Sequence, residues 1–259
     1  GGLKLGLEFF CAHGPSGVRD VVGQKHGLFL DLKLHDIPNT VAGGLQGAAL
    51  MKPFLTTIHA SGGAAMMRAA METVESFGSQ RPKVVAVTML TSMDDTDLQS
   101  VGMHTPVSDQ VMRLAELAQA NGVDGVVCSA HEAERLRKQC GDDFLLVVPG
   151  VRPSWASSDD QKRIMTPGEA ATLWSAGPLP GLMTPHLRPT ASSKTWRADM
   201  KIGSKICGLS THEGLDAALK YGAAMVGFNF FANSPRFVTW DQAASFSAIP
   251  WCRAFWCHG

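Results

Sequence analysis

The sequence predicts an α/β fold of the (β/α)8 TIM-barrel class, incomplete or hybrid towards its C-terminal end. Strand-like and helix-like stretches alternate through residues 1–170 at roughly the 30-residue spacing of βαβ units, which indicates a parallel sheet. The chain has 259 residues, enough for one eight-stranded barrel. Charged side chains also follow a buried strand at its C-terminal end, where the active sites of such barrels lie.

Six strands are expected in this first part, because six short apolar stretches are each bounded by Gly, Pro or charged turns. They are 2–7, the strand beginning at 27, 54–60, 83–90, 125–129 and 144–148. Helices are predicted between them at 15–25, 41–51, 61–77, 108–121 and 131–139. Met66, Met67 and Met71 lie at helical spacing and are expected to pack in the core. An exposed charged helix face is expected from Glu132, Glu134, Arg135, Arg137 and Lys138.

The sequence changes in character beyond the barrel-like part, 1–170. Residues 171–199 are rich in Pro, Ser and Thr without sustained periodicity, so we expect an irregular junction. Regular structure resumes in 200–248, with strands at 205–209 and 225–231, a helix at 211–221 between them and another beginning at 241. The tail, 249–259, has no pattern that assigns it to an element. We hypothesise that the two later strands join the earlier six to close a hybrid barrel.

Composition and charge argue against two classes of partner. Lys and Arg together number 23, as do Asp and Glu, so no net charge favours nucleic acid or an anionic membrane. Hydrophobic residues make up 45% of the chain, yet no apolar run reaches the length of a bilayer and no signal peptide is evident. The six cysteines lack C-x-x-C pairs and metal-ligand spacing, so we expect a cytoplasmic protein without a bound metal.

The stretch 27–40, G-L-F-L-D-L-K-L-H-D-I-P-N-T, holds the candidate site. Asp31 and Lys33 are two residues apart and therefore project from the same face of the strand, and Asp36 follows just beyond. Burying a carboxylate and an ammonium group is costly, which favours a functional use for them. The alternative is an ion pair inside the barrel that only fixes the register of the strands. His59, at the end of the next strand, is expected to play a structural part near the rim.

The motif D-L-K-L-H-D-I-P-N-T resembles the D-x-K-x-x-D-I signature of the orotidine 5'-phosphate decarboxylase family. Further matching blocks follow in family order: H-A-S-G-G, V-T-M-L-T-S-M, G-V-V-C-S-A, P-G-V-R-P and D-Q-K-R-I-M-T-P. This resemblance covers about residues 1–170, without the family's first and last strands. It implies a homodimeric (β/α)8 barrel that uses no metal or cofactor. The implied activity is decarboxylation of orotidine 5'-monophosphate to uridine 5'-monophosphate in de novo pyrimidine synthesis.

The same resemblance implies roles for individual residues. Asp31 would lie against the substrate carboxylate, and Lys33 would stabilise and then protonate the carbanion at C6. Lys4 and Asp36 complete the charged tetrad of the family. Asp36 and Thr40 would cross to the active site of the partner subunit, where Thr40 contacts the ribose. The other implied substrate contacts are Thr91, which would face the pyrimidine, and Pro149, Gly150 and Arg152.

A second resemblance lies in residues 200–248. The blocks M-K-I-G-S-K-I-C-G-L-S-T and G-F-N-F-F-A-N-S-P-R-F-V are similar to the opening of phosphoribosylanthranilate isomerase. There Cys207 would match the general base and Arg236 a contact to the substrate anion. Three functions therefore stay open from the sequence: the decarboxylase, the isomerase, and a non-catalytic truncated or fused barrel that at most binds a nucleotide weakly.

Overall fold

The structure is a computed structural model. It describes residues 2–23, 27–149, 163, 182–183, 205–207, 210–214, 216, 225–229, 237–239, 242 and 254–257. Pro149 is therefore the last residue of the long continuous part, and the predicted contacts Gly150 and Arg152 lie outside the described residues, as does Arg236.

Strands and helices alternate through the first part of the chain, as the sequence predicted. Strands β1 to β6 are Gly2–Gly6, Gly27–Leu34, Leu55–His59, Lys83–Val87, Gly125–Val127 and Leu145–Val147. Helices α1 to α6 are Leu7–Val22, Pro38–Ala49, Gly63–Glu75, Asp95–Ser100, Val107–Ala120 and Ala130–Cys140. Neighbouring strands from β1 to β6 pair in chain order, and every pairing is parallel. The fold is thus α/β of the TIM-barrel type.

The C-terminal part adds four strands to the same sheet. Strands β7 to β10 are Leu182–Met183, Lys205–Cys207, Met225–Asn229 and Ala254–Cys257. The sheet order is β7-β6-β5-β4-β3-β2-β1-β10-β9-β8, again with parallel pairings. The described residues of the two strands predicted at 205–209 and 225–231 therefore lie in the same sheet as β1 to β6. Among the described residues no pairing joins the end strands β7 and β8.

Two strands lie where the sequence assigned none. β10 is in the tail 249–259 and β7 is in the junction 171–199. Both are too short for an alternating pattern to identify them, since β10 has four residues and β7 has two. The predicted division of the chain at residues 170, 199 and 248 stays a prediction. Of the helix predicted at 211–221, residues 212–214 and 216 are helical, and the rest lies outside the described residues.

Helix α1 starts earlier than predicted. The sequence placed its start at Pro15, which is a favoured residue in the first turn of a helix. In the structure the helical stretch begins at Leu7 and is interrupted at Gly14, which has φ 59° and ψ −167°. Gly14 and Pro15 therefore kink one long stretch, because the proline has no N–H for the preceding turn.

Two apolar clusters hold the layers together. The smaller joins β1, α1 and β2 through Leu3, Leu5, Leu28 and Leu30, each at most 1% exposed. Burial of each such side chain stabilises the fold by about 1.5–3 kcal/mol. The larger cluster lies between β3–β6 and helices α2 to α6. It contains Met66, Met67 and Met71, so the prediction that these methionines pack in the core is confirmed.

Candidate active site

The C-terminal end of β2 departs from regular strand geometry. Leu30 pairs with Thr56 of β3 and Leu34 with Ile58, so β2 advances four residues while β3 advances two. Lys33, inside this bulge, has φ 52°, an unusual value for a residue other than glycine. The bulge directs Lys33 towards Asp31.

Asp31 is the centre of a compact charged cluster. Its Oδ2 accepts hydrogen bonds from Lys33 Nζ at 2.8 Å and from Lys4 Nζ at 3.2 Å. Its Oδ1 accepts one from the Thr57 hydroxyl at 2.9 Å. Side chains from β1, β2 and β3 therefore meet at one carboxylate, as predicted for Lys4, Asp31 and Lys33.

Burial and charge act in opposite directions on Asp31. Burial alone would raise the pKa of this carboxyl group, but the charges of Lys4 and Lys33, aided by hydrogen bonds from Lys33 and Thr57, lower it to about 2. Its side chain is only 11% exposed, whereas those of Lys4 and Lys33 are 31% and 39% exposed. A fixed, ionised carboxylate thus lies beneath two partly exposed lysine side chains.

The geometry bears on the alternative that this ion pair only fixes strand register. Asp31 and Lys33 belong to the same strand, so the bond between them cannot align two strands. Of the two ion pairs that Asp31 forms, only the longer one, with Lys4, links β1 to β2. The local backbone at Lys33 is also strained, and such strain concentrates at functional sites.

Thr57 is a member of the cluster that the sequence analysis missed. Its side chain lies on the same face of β3 as His59, two residues further on. It is fully buried, donates to Asp31 and accepts from the backbone N–H of Lys33 at 2.8 Å. An isolated threonine in a strand carries no signal for this role, because the contact depends on the register between β2 and β3.

His59 lies beside the cluster, near the rim as predicted. Its ring stacks on that of His35, with centroids 5.1 Å apart. Burial, and then the charges of His35 and Lys33, lower the pKa of His59 to about 4. His59 is therefore a neutral ring near neutral pH.

Among the described residues, no hydrogen bond or ion pair joins Asp36 or Thr40 to the charged cluster. Both are exposed, at the start of α2. The Asp36 carboxylate accepts a hydrogen bond from the N–H of Ile37 at 2.7 Å. Ile37 itself is 68% exposed, which is high for a large apolar residue.

Thr91 follows β4, and Arg163 contacts the loop that holds it. The backbone N–H of Arg163 donates to the Thr91 carbonyl at 3.1 Å. The Arg163 guanidinium donates to the carbonyl of Met89 at 3.1 Å and forms an ion pair with Glu132 of α6. Arg163 therefore fastens the loop after β4 to the start of α6.

Glu132 and Arg137 correct the expectation of an exposed charged face on α6. They are 4% and 6% exposed. The Glu132 carboxylate accepts from the N–H of Ser129 at 2.8 Å, in a capping box that turns the side chain back over the start of the helix. Burial raises the pKa of Glu132, and the Arg163 charge opposes that shift. Glu134 and Lys138 do form an exposed pair.

Metal ligands and membrane spans are two other features to consider in the part of the chain that the structure describes. There, no group of three His, Cys, Asp or Glu side chains is arranged to hold a metal ion. Among the described helices, none combines the length and the apolar character that crossing a bilayer requires.

Comparisons with known proteins give a consistent family match. The model of the orotidine 5'-phosphate decarboxylase / HUMPS family matches residues 2–174. The orotidine 5'-phosphate decarboxylase of Paramagnetospirillum magneticum is 54% identical over 174 residues, which cover 66% of this chain and 74% of that protein. The enzyme of that name from Rhodospirillum rubrum is 55% identical over 175 residues, 66% of this chain and 71% of that protein.

Solved structures give the same result. The crystal structure of orotidine 5'-phosphate decarboxylase from Lactobacillus acidophilus matches with a TM-score of 0.55 at 36% identity, covering 67% of this chain and 83% of that one. An uncharacterized conserved protein from Geobacillus kaustophilus matches with a TM-score of 0.57 at 39% identity, covering 66% of this chain and 74% of that one. The similarity of residues 200–248 to phosphoribosylanthranilate isomerase lies beyond the family match and stays a prediction. On its first two thirds, this chain belongs to the orotidine 5'-phosphate decarboxylase / HUMPS family.

Proposed function

We propose that the protein decarboxylates orotidine 5'-monophosphate to uridine 5'-monophosphate, a step of pyrimidine synthesis. The observation that carries this proposal is the convergence of Lys4 and Lys33 on one buried, ionised carboxylate, Asp31. Relatives that are 54% and 55% identical to this chain over the aligned residues are named for the same reaction.

The reaction needs a fixed cation and a fixed anion. Breaking the bond between C6 and the carboxylate releases carbon dioxide and leaves an electron pair on C6. Asp31 would face the substrate carboxylate and raise its energy before cleavage, while the Lys33 ammonium stabilises the developing carbanion. Lys33 then transfers a proton to C6, which gives uridine 5'-monophosphate, and regains a proton from water. Lys4 holds Asp31 in place.

The remaining predicted contacts complete the proposal. Thr91, Pro149, Gly150 and Arg152 would bind the substrate around the cluster. The proposed reaction requires no metal and no cofactor, because proton transfer and electrostatic stabilisation come from side chains.

A cytoplasmic location is proposed together with this reaction. Cys11, Cys128 and Cys140 are free thiols, as expected in a reducing compartment.

We assign the exposed start of α2 to a homodimer interface. Asp36 and Thr40 are exposed and form no hydrogen bond or ion pair with the cluster of their own chain among the described residues, which fits a role in the partner's site. Ile37, 68% exposed between them, supplies the apolar surface that such an interface buries.

Ile37→Asp should therefore shift the protein from dimer to monomer in analytical ultracentrifugation. The exposed Val101→Asp, on the loop after α4, is the matched control and should leave the mass unchanged. A wild-type protein that sediments as a monomer would contradict the assignment.

The activity itself is tested by following the absorbance of orotidine 5'-monophosphate with purified protein. The wild type should consume the substrate, and Lys33→Ala should lower the rate by at least about 10²–10⁴-fold, the range for losing a general acid. Lys138→Ala, which removes an exposed lysine from α6, should behave as wild type. Equal rates for Lys33→Ala and the wild type would reject the proposed mechanism, and an inactive wild type would reject the proposed function.

A further inference from the structure

The bulge in β2 leaves a backbone donor that the neighbouring strand does not pair. Between the pairs Leu30–Thr56 and Leu34–Ile58, Thr57 is the one β3 residue that lies opposite residues 31–33. The N–H of Lys33 donates instead to the side-chain oxygen of Thr57, at 2.8 Å. The Thr57 hydroxyl therefore takes the place of a backbone acceptor in the ladder.

This bond fixes the direction in which the Thr57 hydroxyl donates its proton. A backbone N–H can only donate, so the hydroxyl oxygen must accept from Lys33. Its single proton is then free for the Asp31 Oδ1, 2.9 Å away. An ionised carboxylate can only accept, which matches this direction. Thr57 is 0% exposed, so bulk water does not compete for either bond.

We propose that Thr57 is a positioning residue for decarboxylation, which orients the Asp31 carboxylate and holds the Lys33 backbone in its bulged conformation. The inference deepens the proposed function and rests on it for its kinetic part. With Oδ1 tied to Thr57, the other oxygen of Asp31 is presented to Lys4 and Lys33 together. The same hydroxyl holds the backbone from which the Lys33 side chain extends. The Thr57 hydroxyl therefore sets the position of the Lys33 ammonium group relative to the Asp31 carboxylate.

The neighbouring threonine provides a matched control. Thr56 is also 0% exposed on β3, but lies on the opposite face of the strand. Its hydroxyl has no hydrogen-bond partner among the described residues. Thr56→Val and Thr57→Val therefore make the same chemical change at adjacent buried positions, and only the second removes hydrogen bonds to Asp31 and Lys33.

Steady-state kinetics of the full-length protein test the kinetic part. Thr57→Val should lower kcat by about 10- to 100-fold, the usual effect of losing a group that orients a catalytic one, with a smaller change in KM. Thr56→Val should keep the wild-type kcat. Thr57→Ser and Thr57→Ala form a second pair, which is used if Thr57→Val fails to fold. Both variants lose the methyl group of threonine, but only the serine variant keeps the hydroxyl. The serine variant should retain most of the activity, and the alanine variant should not.

A titration that needs no activity separates this inference from the proposed function. Carbon-13 NMR of the Asp31 carboxyl group should show its midpoint moved to higher pH in Thr57→Val and Thr57→Ala, because a bond to the charged form is lost. Thr56→Val and Thr57→Ser should titrate as the wild type does. An inactive wild type would reject the proposed function while this titration still decides the role of Thr57. Thr57→Ala matching Thr57→Ser in titration or in kcat would overturn the inference.

Discussion

At the scale of single residues, Asp31 determines the character of the site. Its carboxylate is buried, and burial alone would favour the neutral acid. Two ammonium groups and a hydroxyl on its two oxygens reverse that preference, so the pKa falls to about 2. A buried ionised carboxylate of this kind is costly to form, which supports the proposal that Asp31 places negative charge against a substrate.

The pH dependence of stability tests the environment of Asp31. Its pKa in the folded protein, about 2, lies below the ordinary value of 3.8. Its contribution is therefore present above about pH 4 and is lost as the pH falls towards about 2. Between pH 5 and pH 2 the unfolding free energy of the wild type should fall by roughly 2 kcal/mol more than that of Asp31→Asn.

Asp109 is the matched control for this measurement, since its ion pair with Arg135 is exposed. Asp109→Asn should follow the wild-type profile in urea unfolding between the same two pH values, because exposed pairs contribute little. Identical profiles for Asp31→Asn and the wild type would mean that the carboxylate is not held as described.

The sequence motif predicted Lys4, Asp31 and Lys33 as a cluster, and the structure brings them together. The argument from alternating side chains along a strand was incomplete, however. Alternation along a regular strand places Asp31 and Lys33 on one face, but Lys33 reaches Asp31 through a bulge with φ 52°. Thr57 could not be predicted, because its contacts exist only in the β2–β3 register that this bulge creates.

At the scale of elements, the loop after β4 is held to α6 by one buried ion pair. Arg163 and Glu132 have side chains that are 12% and 5% exposed, and the arginine also binds the carbonyls of Met89 and Leu90. Arg163, of the sequence block D-Q-K-R-I-M-T-P, thus joins the loop after β4 to the start of α6. Since Thr91 follows directly, this contact positions a residue proposed to face the pyrimidine.

Two substitutions on α6 separate the buried pair from an exposed one. Glu132→Gln keeps an oxygen for the helix cap but leaves the Arg163 charge without its partner, so the unfolding free energy should fall by about 3–5 kcal/mol. Glu134→Gln breaks the exposed pair with Lys138 and should cost less than about 0.5 kcal/mol. Chemical denaturation at neutral pH measures both. Equal losses of unfolding free energy in the two variants would contradict the assignment of Arg163 and Glu132 as a buried, stabilising ion pair.

At the scale of the whole molecule, the strands that carry the charged cluster lie in the middle of the sheet. β1 carries Lys4 and has β2 on one side and β10 on the other. Helix and strand alternation was sufficient to predict β1 to β6, because helices separate each of these strands from the next one. It was not sufficient for β10, whose four residues depend on pairing with strands far away in the sequence.

The position of β10 connects the C-terminal part of the chain to the proposed chemistry. Cys257 of β10 is in register with Lys4, and Phe255 with Gly227 of β9. Phe255→Pro and Phe255→Ala both remove the aromatic side chain, but only proline removes an N–H from a strand that has neighbours on both sides. The proline variant should melt at least about 2–4 °C below the alanine variant, for the loss of one ladder hydrogen bond.

The same pair of variants should differ in catalysis. When β10 is displaced, β1 loses its neighbour on that side and Lys4 is less firmly held against Asp31, so kcat should fall further in Phe255→Pro than in Phe255→Ala. Thermal unfolding and the orotidine 5'-monophosphate assay, run on both variants, test the two effects together. If the variants melt at the same temperature and turn over at the same rate, β10 does not support the site.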